Sequence, residues 1–253
     1  MSYRRRMMGA LVIVLAAGYG AAAGLLLPRP AYRLSVPPGD PWRGSCPQGH
    51  RLAGWPGPAR CLPGAEPPGP PHGYGRPAVP LAVLTAGVCA LLAATVGARP
   101  ELVAYAGLAP LFVLLALVDR AVHRLPDVLT LPLAAAVAAL LGAAALAPGS
   151  AGSWRLALLG GGALGAAYLL LHLINPAGMG FGDVKLALSL GVALGWYGWG
   201  VWAAGAFLGL LYGALHGLFL VLRGSERGRQ GYAFGPFMAA GALTGVLLGG
   251  FGA

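Results

Sequence analysis

The sequence predicts an all-α fold, a polytopic bundle of about eight membrane helices, and three observations carry that prediction. Its 253 residues have a mean hydropathy of +0.72, only 9% are charged and seven are acidic, a balance that does not suit a water-facing surface. Apolar stretches near the roughly 20 residues needed to cross hydrocarbon recur along the chain. The longest, 184–222, exceeds one crossing and contains Gly195-Trp-Tyr-Gly-Trp-Gly200, whose glycines permit a turn and whose aromatic rings suit the interface. It is read as two shorter helices.

In chain order, spans are expected at 7–27, 79–97, 101–118, 128–147, 154–174 and 233–252, and the interrupted run brings the total to eight. Three domains follow: a first transmembrane helix at 1–27, a Pro/Gly-rich cytoplasmic loop at 28–77, and a membrane-embedded region at 78–253. The loop has 14 Pro and 9 Gly in 50 positions, a composition expected to carry no regular helix and to bury little core. No internal repeat of solenoid period is present.

The basic residues set the orientation. With the N-terminus outside, 12 of the 17 Lys and Arg fall on cytoplasmic segments and 5 on the other side. Positive charge is retained in the cytoplasm, so this orientation is favoured, and it accounts for the net charge of +10 with no nucleic-acid partner. The start "MSYRRRMMGALVIVLAAGYGAAAG" also has the layout of a signal peptide. Cleavage there, or insertion with the arginines inside, would reverse every later loop and leave at most five basic residues in the cytoplasm. The segment is therefore read as an uncleaved first helix.

Cys46 and Cys61 lie in the 28–77 loop with His50 and His72, while Cys89 falls in an apolar span where packing is its default role. A cytoplasmic loop disfavours a disulfide. A metal site is weakened because Cys46-Pro-Gln-Gly49 and Cys61-Leu-Pro-Gly64 each have glycine where a paired ligand would stand. No metal and no cofactor are assigned.

Two aspartates stand out against this apolar background. Asp119 ends the third apolar run, where the negative end of the helix dipole disfavours an anion by several tenths of a kcal/mol, so helix stability does not explain it. Asp183 heads an apolar run in "GMGFGDVKLALSLG", behind three glycines and two residues before Lys185. Two crossings separate the aspartates, and two crossings return the chain to the face it left. Both acids must then lie at one membrane boundary; their proximity within it is a hypothesis. Paired carboxylates share a proton and can activate water, the apparatus of aspartic proteases. Gly180 and Gly182 would let backbone approach a substrate closely and adopt conformations closed to other residues. Lys185 would tune the pair, bind substrate, or simply snorkel to the interface. The competing readings are a helix N-cap at Asp183, a proton relay in a small transporter, and an inactive assembly partner. Asp127, after Leu125-Pro126, reads as the N-cap of the following helix.

The stretch Gly180-Phe-Gly182-Asp183-Val-Lys185, the segment Val118-Asp119 through Arg124-Leu-Pro-Asp127-Val-Leu-Thr-Leu-Pro132, and Phe234-Gly-Pro-Phe237 together resemble the type IV prepilin peptidases, membrane aspartic proteases with a GxGD motif. The resemblance covers most of 80–253. It implies Asp119 and Asp183 as catalytic residues, with Gly180, Gly182 and Lys185 in the active-site loop and Asp127 at a recurrent position outside the pair. It further implies an enzyme of the bacterial cytoplasmic membrane that removes the leader of prepilins or pseudopilins at the cytoplasmic face. Many members also methylate the new N-terminus and carry two CxxC pairs that bind zinc. Here only the first cysteine of each pair is present, as Cys46 and Cys61. A site from Cys46, His50 and Cys61, with His72 as a further candidate, is the alternative to none, and methylation is not assigned.

Overall fold

The computed structural model describes residues 2–61, 72–176, 178–223 and 232–252, with side chains from residue 7 onward. Among these, nine α-helices are present: α1 (Ser2–Leu26), α2 (Pro28–Leu34), α3 (Ala78–Val96), α4 (Leu102–Val122), α5 (Asp127–Ala145), α6 (Trp154–Ile174), α7 (Phe181–Gly195), α8 (Trp199–Leu222) and α9 (Gly235–Gly252). Seven of them, all but α2 and α7, are long and apolar enough to cross a membrane. The protein is a multi-pass helical bundle, and helices suit the bilayer because they satisfy their own backbone polar groups where no water can.

The break expected near Gly195 is present. Helix α7 stops at Gly195 and α8 starts at Trp199, with Gly198 between them at φ +98°, a conformation that a Cβ would strain. At 15 residues, α7 is about 22 Å long, shorter than the hydrocarbon thickness of about 30 Å. It contacts α5, α6, α8 and α9, and every residue from Ser189 to Gly195 is buried. That burial explains why its sequence has no polar face.

Lipid tails are as apolar as side chains, so helix association here depends on close packing. Glycine provides it between α6 and α7. A Cβ on Gly160 would lie 2.6 Å from the Gly191 carbonyl oxygen, and one on Gly191 would lie 2.5 Å from that of Gly160. Helices α8 and α9 meet in the same way through Gly205 and Gly209 against Gly241 and Gly245.

The connections sort to two ends of the bundle. At one end the fully buried Glu101 accepts from the Ala151 N–H (3.3 Å), the Ser153 N–H donates to the Trp196 carbonyl (2.9 Å), and Arg99 reaches the Gly250 carbonyl (3.4 Å). At the other end lie the α4–α5 turn and the starts of α7 and α9, joined by contacts described below.

The 28–77 segment departs from expectation. It does carry a helix, α2, in which Pro28 and Pro30 occupy the first turn, where a missing N–H costs nothing. Beyond it, β1 (Arg60–Cys61) pairs antiparallel with β2 (His72–Gly73), and Cys46, Leu52, Ala59, Cys61 and Tyr74 form a small core of their own. Arginines dock this unit: Arg33 donates to the Leu52 carbonyl (2.8 Å), Arg29 to those of Ala53 and Pro56, and Arg124 of the α4–α5 turn to that of Pro37 (3.2 Å).

Candidate active site

Asp119 lies in the last turn of α4, which His123 terminates in the left-handed conformation (φ 51°) while its N–H returns to the Asp119 carbonyl at 2.7 Å. The chain then turns through Arg124 and Leu125 into α5. Its side chain is 5% exposed, and Oδ2 accepts the Gly235 N–H at 2.9 Å. Gly235 is the first residue of α9, so the positive end of that helix faces a carboxylate that its own helix disfavours. This answers the question raised by an acid at a helix C-terminus.

Asp183 sits in the first turn of α7 and is 9% exposed, and its N–H donates to the Gly180 carbonyl at 3.0 Å. The carboxyls of Asp119 and Asp183 are close enough to interact electrostatically. The structure thus brings the two acids together at one end of the bundle, buried, each beside a helix N-terminus.

The glycines differ from the sequence expectation in backbone conformation. Gly180 has φ −70° and ψ 143°, an ordinary extended conformation, and Gly182 is helical, so neither uses a backbone region closed to other residues. Gly182 contributes space: a Cβ on it would stand 3.0 Å from Leu125 Cβ, so its absence lets α7 abut the α4–α5 turn, whereas one on Gly180 would meet Asp183 Oδ2 at 3.6 Å, an ordinary contact.

Asp127 is not the expected N-cap. Pro126 holds that position, Asp127 is the first helical residue, and its Oδ1 pairs with Lys185 Nζ at 2.6 Å. Lys185 also lies 4.8 Å from the Phe181 ring centroid, so its cation bridges α5 and α7 beside the acid pair. The Asp127 side chain is 64% exposed, and pairs that solvent reaches contribute at most about 1 kcal/mol. Asp127→Asn should therefore shift thermal unfolding only slightly and retain most activity; a loss as complete as that expected for Asp119→Asn would place the chemistry on Asp127.

Sequence reasoning missed three neighbours. Gly235 was in view within Phe234-Gly-Pro-Phe237, but nothing local told that its N–H meets Asp119. Tyr168 is 3% exposed on α6, within electrostatic reach of Asp183 and 6.3 Å from the Phe234 ring. His172 Nδ1 donates to the Met179 carbonyl at 2.8 Å and steadies the turn into α7.

Away from this site, the 28–77 unit gathers Cys46, His50, Cys61 and His72, whose ligand atoms all lie within 4.8 Å of one another. Burial alone would raise the Cys46 thiol, but hydrogen bonds from His72, the Gln48 backbone, Cys61 and the His50 backbone bring it down to about 6. Burial raises Cys61, and its neighbour Cys46 adds to the effect. The four residues have the donor types and spacing to hold a metal ion, although the sequence assigned none.

Fold and site together define a multi-pass membrane protein with a buried carboxylate pair at one end of its bundle. Residues 106–222, which carry both aspartates, match the type IV leader peptidase family. The prepilin leader peptidase/N-methyltransferase of Burkholderia pseudomallei (strain K96243) is 33% identical over 189 residues, covering 71% of this chain and 56% of the relative. The protein of that name from Bacillus subtilis (strain 168) is 37% identical over 97 residues, 38% of each chain. The chain thus spans little more than half the length of the Burkholderia relative. No solved structure gives a significant match.

Proposed function

We propose that this protein is a membrane aspartic endopeptidase that removes the leader from type IV prepilins or pseudopilins at the cytoplasmic face of the bacterial cytoplasmic membrane. The observation that carries the reading is the burial of Asp119 and Asp183 within electrostatic reach of each other, inside the stretch that matches the family. Two such carboxyls share one proton, because like charges in low dielectric cannot both ionise easily. The ionised member takes a proton from water as its oxygen attacks the peptide carbonyl carbon. The protonated member donates to the carbonyl oxygen. Collapse of the tetrahedral species breaks the C–N bond, the proton gained from water passes to the leaving amine, and the other aspartate takes a proton back from the gem-diol, restoring the shared proton. The Gly235 N–H orients Asp119, and the packing of Gly182 against Leu125 sets how closely α7 brings Asp183 to it.

A substrate whose apolar helix follows the cleavage point needs room in the membrane beside the acids. An apolar cavity of about 320 Å³ fits that need, lined by Val88, Phe112, Leu117 and Leu243 and reaching Arg120 and Pro236, the residues next to Asp119 and Gly235. The domain reading follows: 78–253 supplies catalysis, 1–27 anchors, and 28–77 is a cytoplasmic accessory unit. Methylation is named for the relatives and is no part of this proposal.

Incubation of the purified protein with a prepilin should yield a product whose new N-terminus is the residue after the leader; intact substrate after prolonged incubation would refute the reading. Orientation is tested separately. Reporters inserted after Gly64 should lie in the cytoplasm and those after Gly149 outside, and the reverse pattern would put the acids on the wrong side for a cytoplasmic leader.

A further inference from the structure

The four-cysteine zinc site implied by family resemblance cannot form here, because glycine stands at two of its positions. The geometry points to a replacement: we propose that Cys46, His50, Cys61 and His72 form a mixed Cys₂His₂ site for one zinc ion, and that this ion organises the 28–77 unit. The inference concerns a site apart from the aspartates and does not depend on the peptidase reading.

Two local structures deliver the ligands. In the first, the Gly49 N–H donates to the Cys46 carbonyl (3.0 Å) and the Cys46 N–H to the His50 carbonyl (2.9 Å), a tight reversal closed by the Ser45–Arg51 bridge. Gly49 permits it at φ +87°. The residue that breaks the CxxC pattern is thus the one that lets His50 come round to Cys46. Backbone N–H groups of Gln48 and His50 hydrogen-bond the Cys46 sulfur, the outer support that orients a metal-bound thiolate. In the second, the β1–β2 ladder sets Cys61 directly opposite His72, so the two side chains share a face.

Two of the distances match those around a tetrahedral ion. Zinc bonds of about 2.3 Å to sulfur and 2.0–2.1 Å to nitrogen place ligand atoms roughly 3.3–3.8 Å apart. Cys46 Sγ lies 3.3 Å from His50 Nδ1 and 3.3 Å from His72 Nε2, and all four atoms fall within 4.8 Å. Three of the four residues are buried, His50 among them at 3% exposure. Two thiolates and two neutral imidazoles balance the charge of a divalent ion, and an S₂N₂ tetrahedron favours zinc over magnesium, calcium or manganese.

Among the described residues the unit has little apolar core of its own. That core consists of five buried residues and the β1–β2 ladder has two residues per strand, too little apolar burial for a segment this rich in Pro and Gly. A metal would supply the missing constraint, since binding by a site absent from the unfolded chain contributes directly to folding.

The test uses the full chain, purified in detergent without chelators or an affinity tag that binds metal. Elemental analysis should give about one zinc per chain, falling at least tenfold in a Cys46→Ser/His72→Ala variant, while helical content stays unchanged because the membrane helices do not involve the site. Exchange for cobalt should produce the absorption of a tetrahedral thiolate–imidazole centre. His50→Cys combined with His72→Cys should keep one metal per chain and shift that spectrum to lower energy. Zinc absent from the wild type, zinc fully retained by the Ser/Ala variant, or a Cys46–Cys61 disulfide in place of two free thiols would each overturn the proposal.

Discussion

Asp119→Asn and Asp183→Asn should each reduce prepilin cleavage by at least about 10³-fold, within the span general acid–base catalysis supplies, while leaving the protein in the membrane at wild-type levels. The exchange is a clean probe here. The asparagine amide oxygen can still accept the Gly235 N–H that holds Asp119, so the hydrogen bond at 2.9 Å survives and only the ionisable group is lost. In Asp183→Asn the first turn of α7 loses a charge that favours its N-terminus, a change of no more than about 1 kcal/mol. If the carboxyls act as one unit, their effects are not additive, and the double variant should be little slower than either single one. The wild-type pH profile should be bell-shaped, with two apparent pKa values that belong to the pair. Measured as the initial rate of leader removal in detergent, brisk cleavage by either single variant would remove the shared-proton mechanism.

How far the sequence led can be judged residue by residue. Counting crossings placed Asp119 and Asp183 at one boundary, because parity is insensitive to helix tilt or packing. The two-helix reading of 184–222 held because the turn at Gly198 needs a conformation that glycine adopts freely, a local requirement visible in local sequence. What was not legible depended on partners distant in the chain. Asp127 was assigned to the helix it begins, yet its partner is Lys185, 58 residues away. Gly235 is 116 residues from the carboxylate it contacts. Cys46 and His50 are neighbours in sequence, but their convergence with Cys61 and His72 rests on a ladder of two residue pairs, too short for any alternation of apolar and polar positions to announce. Composition also misled about α2, since proline excludes a helix interior but not its first turn.

Gly235→Ala should separate the position of a carboxylate from its presence. A Cβ at this residue would lie 2.8 Å from Asp119 Oδ2 and 3.3 Å from Asp119 Cγ, with Leu186 Cδ2 next at 3.4 Å. The nearest obstacle is the end of a short side chain, which can rotate away at little cost, so the bundle should unfold at nearly the wild-type temperature. Catalysis is less tolerant. Rotation would break the Gly235 N–H contact and carry the Asp119 carboxyl away from Asp183, and a displacement near 1 Å from productive geometry costs about 10²-fold in rate. The expected result is therefore a roughly hundredfold drop in kcat with intact folding and an intact carboxyl group. Gly162→Ala is the control, because no atom lies within 4 Å of a Cβ built there, and it should cleave at the wild-type rate. Full activity in Gly235→Ala would mean that Asp119 works without the α9 N-terminus, and that its contact with Gly235 only holds the helices together.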